Sequence, residues 1–161
     1  MSSSLFQKAL IEIEKHSNQK YEMDHALGKL VLDRVLPYPY FYPYSYGYIP
    51  GTRAGDGDEI DILVVSDKSY PSGAEMESFI IGALEMTDEK GEDIKLLVVS
   101  REDYESSMIR DITDLDKTIL ENIHWFFSNY KSKEKNKWSQ IGGFLNREKA
   151  LVYYHASCLT A

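Results

Sequence analysis

Asp56-Gly57-Asp58-Glu59-Ile60-Asp61 packs three aspartates into six residues. Like charges at that spacing repel, and Gly55 and Gly57 let the backbone turn so that the carboxylate oxygens can converge on something positive. Oxygen donors of this kind suit a hard cation such as Mg²⁺ or Ca²⁺, and the soft ligands that would point to zinc or copper are absent around the hexapeptide. The EF-hand register fails, because Ile60 falls at the fifth loop position and Asp61 where that loop needs Gly. Taken alone, the hexapeptide reads equally well as a solvated acidic turn. A second acidic run, Asp88-Glu89-Lys90-Gly91-Glu92-Asp93-Ile94-Lys95, follows an apolar segment ending near Met86. Two clusters at the ends of apolar strands are what a site holding more than one divalent cation requires.

Basic and phenolic side chains supply the other half of such a site. Lys20 and Glu22 share one face of an extended segment, Arg34 sits on another, Lys95 lies just beyond Asp93, and Tyr130-Lys131 closes a Phe-rich helical pattern. Each alone reads as a surface charge; beside two metal-type acidic clusters, they form the electrophilic half of a phosphoryl-transfer site. Other catalytic patterns are missing. Asp56 occupies the second glycine of a P-loop, Ile60 the last glycine of G-x-G-x-x-G, and no G-x-S-x-G, C-x-x-C or H-E-x-x-H occurs. His16, His25, His124 and His155 show no ligand spacing and read as surface or packing residues, and Cys158 as an unreactive small residue.

The elements that must position these groups are mostly strands in the first hundred residues. Ile11-Glu12-Ile13-Glu14 alternates with period two, and similar segments follow at Lys20 to Asp24, Leu30 to Val35, Ile60 to Val65, Phe79 to Leu84 and Lys95 to Val99. This spacing predicts a small barrel or sandwich. Beyond residue 110, Ile119, Ile123, Phe126, Phe127 and Tyr130 recur at helical intervals, with Thr118 and Glu121 as a capping box. A second helix starts after Asn146 as N-cap and runs through Ala150, Leu151 and Tyr154. The tyrosine-rich segment Pro37 to Tyr48 is placed as loop and edge, since prolines do not suit a central strand.

The 161 residues have the size of one domain, and the net charge of -8 argues against a general grip on nucleic acid, including the base-stacking module that the aromatic strip would otherwise suggest. One cysteine, no signal-peptide run within residues 1–30, and apolar stretches no longer than Leu96 to Val99 favour a cytoplasmic protein outside the membrane.

These residues resemble the family I soluble inorganic pyrophosphatases, especially the bacterial ones. The matches run in order over about four fifths of the chain: Ile11-Glu12-Ile13 with Lys20-Tyr21-Glu22, Leu32-Asp33-Arg34, Tyr42-Pro43 with Tyr46 to Thr52, Asp56 to Asp61, Met86 to Glu89 with Gly91-Glu92-Asp93 and Lys95, then Phe126-Phe127 and Tyr130-Lys131. The resemblance implies a mainly β (α+β) fold, an OB-like five-stranded barrel with two flanking helices, the second C-terminal, in a single domain spanning 1–161. It implies hydrolysis of inorganic pyrophosphate to two phosphates by a metal-bridged hydroxide, with Lys, Arg and Tyr stabilising the leaving phosphate. Mg²⁺ is the implied cofactor, several ions per site, with Mn²⁺ or Zn²⁺ as substitutes.

Carried over by position, Asp56, Asp61 and Asp93 match the ligands of two metals, Asp88 and Asp93 those of a metal arriving with substrate, and Glu22 a contact through water. Asp58 matches the proton acceptor. Lys20, Arg34, Tyr46, Lys95, Tyr130 and Lys131 match phosphate contacts, and Glu12 and Tyr42 supporting positions. The partners implied are pyrophosphate and further copies of the chain, a homohexamer by family expectation. The sequence departs from the family at Glu14, Ser45, Glu59, Glu77 and Phe79, and at Trp125 and Asn129, where some relatives carry subunit-contact histidines. The tyrosines at 38, 40 and 44 have no counterpart in it.

Overall fold

In the computed structural model, which describes residues 4–159, the chain forms β1 (Gln7–Ile13), β2 (Gln19–Asp24), β3 (Lys29–Val35), β4 (Ser45–Tyr48), β5 (Asp61–Val64), β6 (Glu75–Asp88), β7 (Gly91–Glu92) and β8 (Lys95–Ser100). Then follow α1 (Arg101–Ser106), a 3-10 turn at Ile112–Asp114, α2 (Lys117–Asn129), β9 (Ser139–Asn146) and α3 (Arg147–Ser157). The result is mainly β, with the last helix C-terminal. The pairings close into a ring: β1 on β4, β4 on β5, β5 on β8, β8 on β6, and β6 back on β1. Only β5 and β8 run parallel within it.

Alternate side chains of β5, β6 and β8 divide between two apolar clusters, as the period of a strand requires, while in β1 the irregularity between Ile11 and Ile13 sends these two residues to opposite clusters. Ile13, Leu63, Phe79, Ile81, Leu97 and Val99 join Phe126 and Phe127 of α2 in one. Ile11, Ile62, Ile80, Leu96 and Val98 join Ala150 and Tyr154 of α3 in the other. The helices α2 and α3 thus each complete one of the two clusters against the ring.

Three features differ from the sequence reading. Ser45–Tyr48 is an interior strand between β1 and β5, not an edge. Pro37, Pro39 and Pro43 all precede it, so its own N–H groups remain free to pair. The segments Lys20 to Asp24 and Leu30 to Val35 are strands, but they pair only with each other as a hairpin outside the ring. The Thr118/Glu121 capping box does not form: Asp116 is the N-cap, Ile119 N–H already bonds Asp116 O, and Thr118 lies inside the first turn. At α3 the expected cap is present, with Asn146 Oδ1 accepting from Lys149 N–H at 3.0 Å.

Three elements, α1, the 3-10 turn and β9, had no sequence reading. α1 is a short helix capped by Ser100 Oγ, which accepts from Asp103 N–H. β9 carries Gly142-Gly143, residues that read as a turn, yet it pairs with β6 along its length. The register slips between Glu85 and Met86, opposite that glycine pair, so the glycines build a bulge within a strand. Among the described residues no helix is long and apolar enough to cross a membrane.

Candidate active site

A cavity of about 340 Å³ opens between the β2–β3 hairpin, the loop before β5, the β6–β7 turn and the C-terminal end of α2, and every site residue named from the sequence lines it. Local chemistry shapes each wall. Thr52 Oγ1 donates to Ile49 O at 2.6 Å and accepts from Ile60 N–H at 2.9 Å, closing the loop that holds Asp56 and Asp58. Gly57 turns that loop at φ +93°, and Asp58 N–H donates to Asp56 Oδ1 at 3.1 Å. In the second cluster Asp88 Oδ1 accepts from Lys90 N–H at 2.9 Å, Gly91 turns at φ +121°, and Asp93 N–H returns to Met86 O. Thus the glycines flagged in both acidic runs make the turns that present the carboxylates.

At the cavity floor Lys95, 3% exposed, donates to Asp93 Oδ2 at 2.8 Å, Asp61 Oδ2 at 2.9 Å and Tyr46 Oη at 2.6 Å. Burial works against this ammonium, but Asp61 and Asp93 outweigh it and hold its pKa well above the usual lysine value. Asp93 itself is raised, by burial first and by Asp61 and Asp88 besides, although Lys95 pulls the other way. Asp56 is raised too, by burial and by the charges of Asp93 and Asp58, against its hydrogen bond from Asp58 N–H. Burial is the first cause of both carboxylate shifts, and the neighbouring carboxylates add to it.

The remaining walls are cationic and phenolic. Lys131 donates to Asp88 Oδ2 at 3.0 Å, an ion pair that lowers the Asp88 pKa despite its burial. Lys20 reaches Glu22 at 2.6 Å and Asp33 at 2.9 Å. Burial raises the phenols of Tyr42, Tyr46 and Tyr130, so each stays a neutral hydrogen-bond donor near pH 7. Glu12, 8% exposed, accepts from Met23 N–H at 2.9 Å and is pushed up to about 8 by burial.

Several residues of the cavity had no role in the sequence reading. Glu89 shares Lys131, and Asp33 shares Lys20. His25, read from sequence as surface or packing, lines the cavity with its Nε2 2.7 Å from Glu59 Oε2. Asp33 was visible beside Arg34 in Leu32-Asp33-Arg34; nothing in the sequence near His25 pointed to Glu59, which lies in another loop.

The donor set fits hard divalent cations: all of it is carboxylate oxygen, carried on two turns that open into one cavity. Among the described residues no three acidic, histidine or cysteine side chains gather around one point, and Lys95 engages two of the carboxylates directly. An oxygen-rich acidic wall facing lysine, arginine and neutral phenols in one cleft defines a site suited to phosphoryl transfer.

The family model described as inorganic pyrophosphatase matches residues 9–160. The inorganic pyrophosphatase of Helicobacter pylori is 44% identical over 144 residues, covering 88% of this chain and 83% of that protein. That of Thermus thermophilus is 43% identical over 144 residues, covering 88% and 82%. Solved structures agree: inorganic pyrophosphatase from Helicobacter pylori superposes with a TM-score of 0.91 at 39% identity over 98% of this chain and 95% of that one. The Thermus thermophilus structure gives 0.92 at 40% identity, covering 98% and 91%. The chain belongs to the inorganic pyrophosphatase family, and is a hydrolase enzyme of that family.

Proposed function

We propose that this chain hydrolyses inorganic pyrophosphate to two phosphates with divalent cations, Mg²⁺ foremost. The observation that carries the reading is the single cavity into which residues 12 to 131 deliver both the acidic wall and the cationic and phenolic one. Family membership supplies the substrate, which is what the relatives are named for.

Asp56, Asp61, Asp88 and Asp93 would hold the cations, with Glu22 reaching one through water. When bound, such ions act as Lewis acids, bringing the pKa of water toward neutrality and offsetting phosphate charge. Asp58, on the turn set by Gly57, accepts the proton that the attacking water loses. Lys20, Tyr46 and Lys95 hold the phosphate being attacked. Arg34, Tyr130 and Lys131 face the leaving phosphate, where a neutral phenol and two fixed cations stabilise charge as it develops. Glu12 and Tyr42 support these groups from behind, Glu12 by holding Met23 N–H and with it the hairpin. A homo-oligomer belongs to the same reading, from the resemblance, and a cytoplasmic location from the single cysteine.

The test is phosphate release from pyrophosphate at neutral pH by purified protein with Mg²⁺, repeated with excess EDTA. Release abolished by EDTA supports the reading. No release with Mg²⁺, Mn²⁺ or Zn²⁺ from folded protein overturns it.

A further inference from the structure

We infer that Glu134 is a positioning residue for Arg34, holding the guanidinium from outside the cavity so that its remaining N–H groups face the substrate phosphate; this rests on the function proposed above. Arg34 needs such a holder. It stands opposite Lys20 in a hairpin that pairs only with itself, so no neighbouring strand of the ring fixes it. A long side chain on such a leaf samples many rotamers unless a partner selects one.

Glu134 supplies the partner. Its Oε1 lies 3.1 Å from Arg34 Nη1, with the side chains 17% (Arg34) and 21% (Glu134) exposed. Arg34 is among the residues that line the cavity, and Glu134 is not. Arg34 Nε and Glu134 Oε2 are both buried and without a partner among the described residues. The ion pair runs through Nη1 and Nε is buried, so it is through its terminal nitrogens that the guanidinium can meet an anion in the cavity.

The carboxylate is itself firmly placed. Glu134 N–H donates to Lys131 O at 3.0 Å, closing the turn that directly follows the other cation of the leaving-phosphate side. The same turn is fastened by Tyr40 Oη with Ser132 Oγ at 3.0 Å and by Lys133 Nζ on Tyr38 O at 2.7 Å. One residue thus links Arg34 and Lys131, which come from elements far apart in the chain. Tyr40 gains a role as its anchor through its hydroxyl, and Tyr38 contributes only its main-chain carbonyl.

The experiment compares wild type, E134A, E134Q, R34K and R34K/E134A in pyrophosphate hydrolysis with Mg²⁺. E134A should raise KM about tenfold, kcat changing less, with the thermal midpoint held. E134Q, which keeps the acceptor and the shape, should fall between. R34K/E134A should be no weaker than R34K, since Glu134 acts through Arg34. An unchanged KM in E134A, or additive losses in the double variant, overturns the inference. A second readout does not depend on turnover: the ¹⁵N–¹H signals of the Arg34 Nη groups, identified by their loss in R34K, should be split apart in wild type, where Glu134 holds Nη1, and collapse to the free-guanidinium position in E134A. A signal that does not move overturns the inference, whereas inactive wild type overturns the proposed function instead.

Discussion

Asp61 and Lys95 stand directly opposite each other in the parallel pairing of β5 with β8, and their side chains meet at 2.9 Å. Each opens its strand, so the pairing that closes the ring also sets the spacing of a carboxylate and an ammonium at the cavity floor. Replacing Lys95 with Met leaves Asp61 and Asp93 facing each other without their cation. In EDTA that variant should lose about 3 kcal/mol of stability, because a buried charge stripped of its partner is costly. Mg²⁺ should recover part of the loss. Calorimetry with and without the metal checks this, and an equal loss in both conditions refutes the role given to the acidic wall.

Asp58→Asn preserves the side-chain shape and the loop bond from its N–H to Asp56 Oδ1. It removes the proton acceptor. Turnover should fall by about 10²-fold or more with the melting temperature nearly unchanged. Activity close to wild type would remove Asp58 from the mechanism.

Glu12 gives the stability a pH dependence whose sign can be worked out. Its carboxyl is raised from the ordinary 4.5 to about 8 by burial. A raised group adds stability that is complete below the unfolded value and is lost as pH rises through the folded one. Between pH 5 and 9 in EDTA, the unfolding free energy of wild type from urea titrations should therefore drop relative to that of Glu12→Gln, by an amount on the order of a few kcal/mol. Parallel curves for the two proteins would contradict this.

Tyr40→Phe deletes the bond to Ser132 and should cost about 1 kcal/mol. Trypsin should then cut faster at Lys133 and Lys135. Cleavage at the wild-type rate would mean that the tyrosine segment does not fasten this turn.

Gly47 lies where β4 passes β1, and a Cβ there would sit 1.9 Å from Leu10 O. Backbone cannot yield as a side-chain tip can, so Gly47→Ala should destabilise by on the order of 3 kcal/mol. A melting temperature within a degree of wild type would show that the strands can separate at low cost.

Much of this was legible residue by residue. The alternation at Ile11-Glu12-Ile13, the helical spacing from Ile119 to Tyr130 and the Asn146 cap are local signals, and they placed β1, α2 and α3. β9 was not legible, because Gly142-Gly143 is a turn signal by local rules and becomes a bulge only when β6 lies alongside. The interior place of β4 escaped for a similar reason: prolines weigh against a strand in composition, whereas what matters is that they stop before Ser45.

The sequence by itself determined the chemistry of the site, since carboxylates, ammonium groups and phenols are properties of residue type, and the glycines beside them already specify turns. Only the tertiary structure decided which charges meet. The bond of Lys95 to Asp61, the hold of Glu134 on Arg34 and the contact of His25 with Glu59 join residues 34 to 100 positions apart. Such pairs depend on strand register and loop closure, which come from burying two apolar clusters at once and have no local signature in the chain.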